Sequence, residues 1–366
     1  MSNLEVPTHS NNESIPELQE LVRRSTKVHV CGSRTKSGFH PLADGPVNLS
    51  TVNLSTESLQ GIVSYDPQEF VITMLSGTKV SDVVTILAKQ GQYLPFDPLF
   101  ASSQATIGGT VACNAAGPGR FRFGGIRDFI LGVRFIDGRG NCIRGGGQVV
   151  KNAAGFDYPK LMVGSQGKLG LVYELTFKVF PRPESFATVL SRFASLEPAL
   201  TCMNQLASSA IDVEAIDLIP GSEATGGFDL AIRIGGIASA IPNRLTRLQQ
   251  VVSAFLILKD HEDDSFWQAA SNFDWVPDSG LLLKLPITPK MIPELERQWK
   301  GNSIHRRYSV GGNVAWIATE SNAEGLDRFA GAQAYLGQPN KISDHGKPGP
   351  FGQAIKRALD PELKFV

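Results

Sequence analysis

Ala105-Thr-Ile-Gly-Gly-Thr-Val-Ala-Cys-Asn-Ala-Ala-Gly117 decides how the chain is read. A Gly-Gly step among small residues lets backbone approach a flat ligand closely. Thr106, Thr110 and Asn114 offer polar groups to fix one. Close packing between a helix and a strand is the other use of such small residues. The density of Gly and Ala continues to Phe123-Gly-Gly125. Upstream, Glu69-Phe-Val-Ile-Thr-Met-Leu75 reads as a strand stopped by Gly77. Val80, Val83, Val84 and Leu87 then repeat at helical spacing, with Gly91 closing the helix. Further upstream, Ser14-Ile-Pro-Glu-Leu opens a helix. The strand Val28-His-Val-Cys31 follows and runs into Gly32-Ser-Arg-Thr-Lys-Ser-Gly38. Downstream, strands are expected at 130–136 and 171–180, the second entered through Gly164-Ser-Gln-Gly-Lys-Leu-Gly-Leu-Val172.

Three glycine loops therefore precede Pro181-Arg-Pro183-Glu184, where two prolines end a strand and mark a boundary. Beyond it the pattern changes. Strands are expected at 187–193, 213–219, 228–234, 281–285 and 304–310. Helices are expected at 196–206, 244–255 and 293–299. This is an α+β arrangement without strict βα alternation. The tail, Phe351 to Pro361, reads as a short helix ended by Asp-Pro. The expected units are 1–183, 184–340 and 341–366.

Composition narrows the function. The formal net charge is zero, which disfavours a nucleic-acid or acidic-membrane partner held by bulk charge. Cys31, Cys113, Cys142 and Cys202 are scattered without a CxxC pair, so they read as cytosolic thiols rather than zinc or iron–sulfur ligands. The polar N-terminus lacks a secretory pattern, and no apolar run reaches spanning length. Gly164-Ser-Gln-Gly167-Lys168-Leu lacks the spacing and the Ser or Thr of a phosphate-binding Walker loop. Gly117-Pro-Gly119-Arg-Phe-Arg122 has Arg where a Rossmann turn needs its third Gly. HExxH and GxSxG are missing. In the first loop, successive N–H groups with Ser33 and Thr35 suit a pyrophosphate; a plain surface turn is the alternative.

Taken in order, the three loops resemble the FAD-binding domain of vanillyl-alcohol-oxidase-like flavoproteins, the PCMH-type fold. More narrowly, Val149-Val-Lys-Asn-Ala-Ala-Gly-Phe-Asp-Tyr-Pro-Lys-Leu161 and Gly119-Arg-Phe-Arg-Phe-Gly-Gly-Ile-Arg-Asp128 resemble the E subunits of glycolate oxidase (glycolate dehydrogenase). The resemblance is strong over residues 25 to 183. It implies a two-part FAD domain, an α+β cap and a short C-terminal helix. It implies that Gly32, Ser33, Arg34, Thr35 and Lys36 hold the pyrophosphate. Thr106, Gly108, Gly109, Thr110, Asn114 and Gly117 would line the flavin and its ribityl arm. Gly170 and Val172 would add backbone contacts. Relatives with covalent FAD place a His in the first loop; Thr35 stands there, and His40 lies beyond Gly38, so noncovalent FAD is implied.

The implied partners are a longer flavin-containing glycolate oxidase subunit, an iron–sulfur subunit and a small 2-hydroxy-acid substrate. The implied location is cytoplasmic, with peripheral attachment at the inner membrane through the complex. Related 2-hydroxy-acid dehydrogenases carry Gly-Asp-Gly-Asn followed by a metal-binding His. Val310-Gly-Gly-Asn-Val-Ala-Trp316 lacks both the acid and the His, so no metal site and no catalytic residue are assigned. Two other functions stay open: a stand-alone FAD oxidase of another alcohol, and a non-catalytic assembly subunit. His29 reads as a core histidine. His305, Arg306 and Arg307 read as a solvated face or a carboxylate site. Arg120, Arg122 and Arg127 with Asp128 read as a phosphate clamp or as salt bridges. The tryptophans read as core.

Overall fold

The computed structural model describes residues 14–39, 51–147, 156–221, 226–252, 255–278, 280–300, 304–319, 331–337 and 349–366. The motif stretch 149–155 and His40 therefore lie outside the described residues. The chain opens with helix α1 (Ser14–Arg24) and strand β1 (Lys27–Cys31), which pairs in parallel with β2 (Thr51–Ser55). A five-stranded antiparallel sheet follows, built from β3 (Ile62–Asp66), β4 (Val71–Leu75), β6 (Ile130–Ile136), β7 (Cys142–Gly146) and β8 (Leu171–Lys178), in the order β3-β4-β8-β6-β7. Two short strands, β5 (Gln92–Tyr93) and β9 (Phe180–Pro181), pair separately. All five residues of β4 are buried, and its one polar side chain, Thr73, is satisfied by the Thr176 hydroxyl at 2.9 Å.

Helix α2 (Val80–Ala88) buries Val83 and Leu87 in the core of this sheet, while Val84 is exposed. Within Ala105–Gly117, residues Ile107–Ala112 form helix α3. Thr106 caps it, its hydroxyl accepting from the Gly109 N–H at 3.2 Å. A loop was the natural expectation, because two glycines cost about 1 kcal/mol each in a helix interior.

From Ser185 onward the strands form one eight-stranded antiparallel sheet, ordered β13-β10-β12-β11-β15-β16-β14-β17. Its members are β10 (Ser185–Phe193), β11 (Ala215–Pro220), β12 (Phe228–Gly236), β13 (Leu256–Lys259), β14 (Leu281–Pro286), β15 (Ile304–Ser309), β16 (Val314–Thr319) and β17 (Gln333–Leu336). Helices α4 (Leu196–Ala207), α5 (Ile241–Gln249) and α7 (Ile292–Gln298) cover one face and share its core. Helix α5 ends six residues before the expected Phe255, and the chain re-enters the sheet as edge strand β13. Helix α6 (Asp260–Asn272) had no clear sequence signal. Its buried positions are Asp263, Trp267 and Ala270, and the charge interrupts the apolar stripe.

The two parts meet through a shared apolar cluster. Val80, Leu99, Phe100, Cys113 and Ala115 of the first part pack on Phe273, Leu282, Trp316 and Tyr335 of the second. Helix α8 (Pro350–Leu359) returns to the first part, with Ile355 and Leu359 joining the five-stranded-sheet core. No helix among the described residues is long and apolar enough to cross a membrane.

Candidate FAD-binding cleft

Three elements converge on one cleft. The first is the loop leaving β1, which contributes Gly32, Ser33, Arg34, Thr35 and Lys36. The second is the N-terminal half of α3, which contributes Thr106, Gly108 and Gly109. The third is the turn before β8, which contributes Ser165, Gln166, Gly167, Gly170 and Val172. The cavity they line measures about 80 Å³ for the centre of a water-sized sphere.

Glycine is required here for two reasons. A Cβ on Gly32 would meet the Thr106 hydroxyl at 2.6 Å, and one on Gly108 would meet the Ser76 Cβ at 2.7 Å. Those two glycines let the first loop and α3 close on their neighbours. Gly109 is different. A Cβ there would meet only the Thr106 hydroxyl at 3.1 Å and the Lys36 Nζ at 3.9 Å, so its missing side chain leaves the cleft floor open. Arg34 (φ 55°) and Gln166 (φ 56°) are both left-handed, which concentrates backbone strain on two facing loops.

Charge gives the cleft its character. Arg34 and Lys36 line it, and among the described residues no carboxylate does. Lys36 is buried, and burial pulls its ammonium pKa down. Its hydrogen-bond partner is the Thr35 hydroxyl at 3.1 Å, and its Nζ lies 5.5 Å from the centre of the Phe100 ring. Among the described residues no carboxylate pairs with it. A buried ammonium without a counter-ion is costly, so a cleft built this way suits an anion. Cys113 lines the same wall, and burial pushes its thiol up to about 11, leaving it neutral.

Ten of the thirteen residues expected from sequence thus come together, and three do not. Thr110 lies on the far side of α3; its hydroxyl is buried without a hydrogen-bond partner among the described residues. Asn114 takes a left-handed turn (φ 51°), and its carbonyl accepts from the Lys284 ammonium at 3.3 Å. Gly117 serves packing, since a Cβ there would meet the Asp97 carbonyl at 2.6 Å. Sequence reading did not single out Val30, Phe39, Thr56 or Ala112 on the lining. Thr56 follows β2, whose parallel pairing with β1 leaves no local signal.

Other candidates resolve into structure. His29 is buried, hydrogen-bonds Asn53 at 3.2 Å, and has its pKa lowered by burial. Arg306 and Arg307 are neither a solvated face nor a substrate clamp. Arg306 forms a two-pronged pair with Glu296, at 2.6 and 2.5 Å. Arg307 pairs with fully buried Asp217 at 2.5 Å. Arg122 pairs with Glu214 at 2.8 Å. Trp267, Trp299 and Trp316 are core residues. Val310–Asn313 is the turn joining β15 to β16. Gly311 faces Phe121, and Gly312 faces Met203 and Ile292.

Comparison with known proteins agrees with this geometry. Residues 10–146 match the model of the FAD binding domain family. The chain carries an FAD-binding domain. Glycolate oxidase subunit GlcE of Escherichia coli (strain K12) is 40% identical over 187 residues, covering 51% of each chain. A D-lactate dehydrogenase of Anaerostipes hadrus is 30% identical over 57% of this chain and 43% of its own. Glycolate oxidase subunit GlcD of Bacillus subtilis (strain 168) is 29% identical over 55% of this chain and 39% of its own. The matched segments thus span about half or less of these curated relatives. In structure, an alkyldihydroxyacetonephosphate synthase aligns over 97% of this chain and 74% of its own, with a TM-score of 0.70 and 16% identity. The fold is PCMH-type, and FAD is the cofactor.

Proposed function

We propose that this chain is the FAD-binding subunit of a glycolate (2-hydroxy-acid) oxidase complex. In it the chain takes part in oxidation of glycolate to glyoxylate and passes electrons to a partner. The observation that carries the reading is the cationic cleft without a carboxylate, which the three glycine loops enclose. Similarity to subunits named GlcE and GlcD supports the choice of substrate class and of a longer flavoprotein partner; an iron–sulfur subunit is the proposed electron outlet.

In this reading FAD lies noncovalently along the cleft. The N–H groups of Gly32 to Lys36 and the Lys36 ammonium hold its pyrophosphate, and Gly109 leaves space over α3. Gly167, Gly170 and Val172 border the opposite side through backbone. Bound FAD supplies two-electron redox chemistry, and the protein positions and tunes it. Thr110, Asn114 and Gly117 act from behind, shaping α3 and the turn that follows it.

The test is flavin content. Purified protein should be yellow and release FAD on heat or acid treatment. Gly109→Leu should fold yet carry no flavin, because its side chain fills the floor beside Lys36. A colourless protein that ignores added FAD, or a Leu variant with full flavin, would refute this placement.

A further inference from the structure

The first and third loops come from different sheets, and the spacing between them sets the width of the cleft. The C-terminal segment ties them together. At the end of α8, the fully buried carboxylate of Asp360 accepts from the N–H groups of Lys364 at 2.9 Å and Phe365 at 2.8 Å, and from the Lys356 ammonium at 2.7 Å. That turn sends the chain back along β1. The Val28 N–H donates to the Lys364 carbonyl at 2.8 Å, and the Val366 N–H donates to the Val28 carbonyl at 3.0 Å. Phe365 therefore sits in a parallel bridge beside Val28, next to the strand that runs into Gly32. Its ring is buried with Val28, Leu54, Leu171 and Tyr173, which belong to β1, β2 and β8.

Lys356 completes the link. Besides Asp360, its ammonium donates to the Phe365 carbonyl at 2.7 Å and to the Lys168 carbonyl, which lies inside the third loop. One half-buried ion pair thus joins the third loop to the strand that feeds the first. None of these tail residues lines the cleft.

We propose that Lys356, Asp360 and Phe365 form a clamp of positioning residues. The clamp fixes the separation of the two dinucleotide loops and so couples FAD affinity to docking of the C-terminal segment. The proposal rests on the FAD reading above. Preorganised loops lose less freedom on binding, so a loosened clamp weakens affinity without removing any ligand contact.

Lys364 provides the control. Its ammonium donates to the Val22 and Arg23 carbonyls at the end of α1, at 3.1 and 2.9 Å, and touches neither loop. FAD dissociation constants of the apo-protein would be measured by flavin-fluorescence quenching, beside urea unfolding of the same samples. Lys356→Met should raise the FAD dissociation constant at least about tenfold, roughly 1.4 kcal/mol. Lys356→Arg, which keeps a donor to the same carbonyls, should restore it. Lys364→Met should lower stability yet bind FAD as the parent does. Equal losses of affinity in Lys356→Met and Lys364→Met overturn the clamp, as does unchanged affinity in folded Lys356→Met. If that variant does not fold, Phe365→Leu stands in for it under the same criteria. A parent chain that takes up no FAD fails at the earlier step, the FAD reading itself, and takes the clamp with it.

Discussion

Two buried lysines behave differently because of what faces them. Lys36 looks into the cleft with a single hydroxyl partner. Lys36→Met should therefore weaken FAD binding about 10- to 100-fold, the worth of one hydrogen bond to a charged group at ~1.5–3 kcal/mol. Stability of the apo-protein should hold or rise, because an uncompensated buried charge is removed; equilibrium dialysis and urea titration measure the two effects separately. Lys284 lies on β14 between the rings of Trp316 and Tyr335, and burial pulls its pKa down to about 8. Its folded pKa lies below its unfolded value, so between about pH 8 and 10.5 the unfolded chain binds more protons. Stability from this group then rises with pH across that window, and the cost of burying the charge is fully present below pH 8. Unfolding free energies at pH 8 and 9.5 should differ by less in Lys284→Met than in the parent, by an amount on the order of 1–2 kcal/mol. Lys36 lay within a loop the sequence marked. Lys284 carried no mark, because a lone lysine in an apolar strand has no periodic signature.

At the scale of elements, the long periodic segments were legible and the functional ones less so. Strands 130–136 and 228–234, and helix 196–206, appear within about two residues of expectation, because burial imposes their period. Helix α3 was legible as a segment of small residues that admits close approach but not as a helix, and its glycines line the cleft. Arg306 and Arg307 misled for a related reason, whereas His305 is exposed as a solvated face would be: sequence shows charges, not what they face. Arg307 and Asp217 join β15 to β11, with Ser309 donating to the other carboxylate oxygen at 2.6 Å. The described register between those strands is the single pair Leu218–Tyr308, and the Gly311 N–H donates to the Ile216 carbonyl at 2.9 Å, so the ion pair adds to a short ladder. Arg307→Met strands a buried carboxylate and should cost about 3–5 kcal/mol. Arg307→Met combined with Asp217→Leu should recover most of that loss in urea unfolding followed by circular dichroism. FAD affinity should be unchanged in both variants, because the pair lies outside the cleft.

Across the whole molecule, the cleft belongs to the first part, while the eight-stranded sheet closes against it through Phe100, Cys113, Trp316 and Tyr335. A second sheet packed on a flavin domain is where a substrate site would be sought, and among the described residues the turn that relatives use for it is closed. The Gly311–Asn313 turn is filled by Phe121, Met203 and Ile292, and Val314-Ala-Trp316 rather than a histidine comes directly after it. The comparison supplies the complementary fact: the matched relatives include both a GlcE and a GlcD, so chains of one ancestry bear both subunit names. On the proposed reading, the flavin of this chain receives its electrons within a complex rather than from substrate directly. FAD-loaded chain mixed anaerobically with glycolate should keep its oxidised-flavin absorbance band, bleaching more slowly than about 1 s⁻¹, the low end of ordinary turnover. Adding the longer flavoprotein subunit should bring bleaching into that range. The Gly109→Leu variant, lacking flavin, should still bind that partner but leave dye reduction by the mixture at the partner's own rate. Fast bleaching of the isolated chain would instead place a complete substrate site within this sequence and favour the stand-alone oxidase.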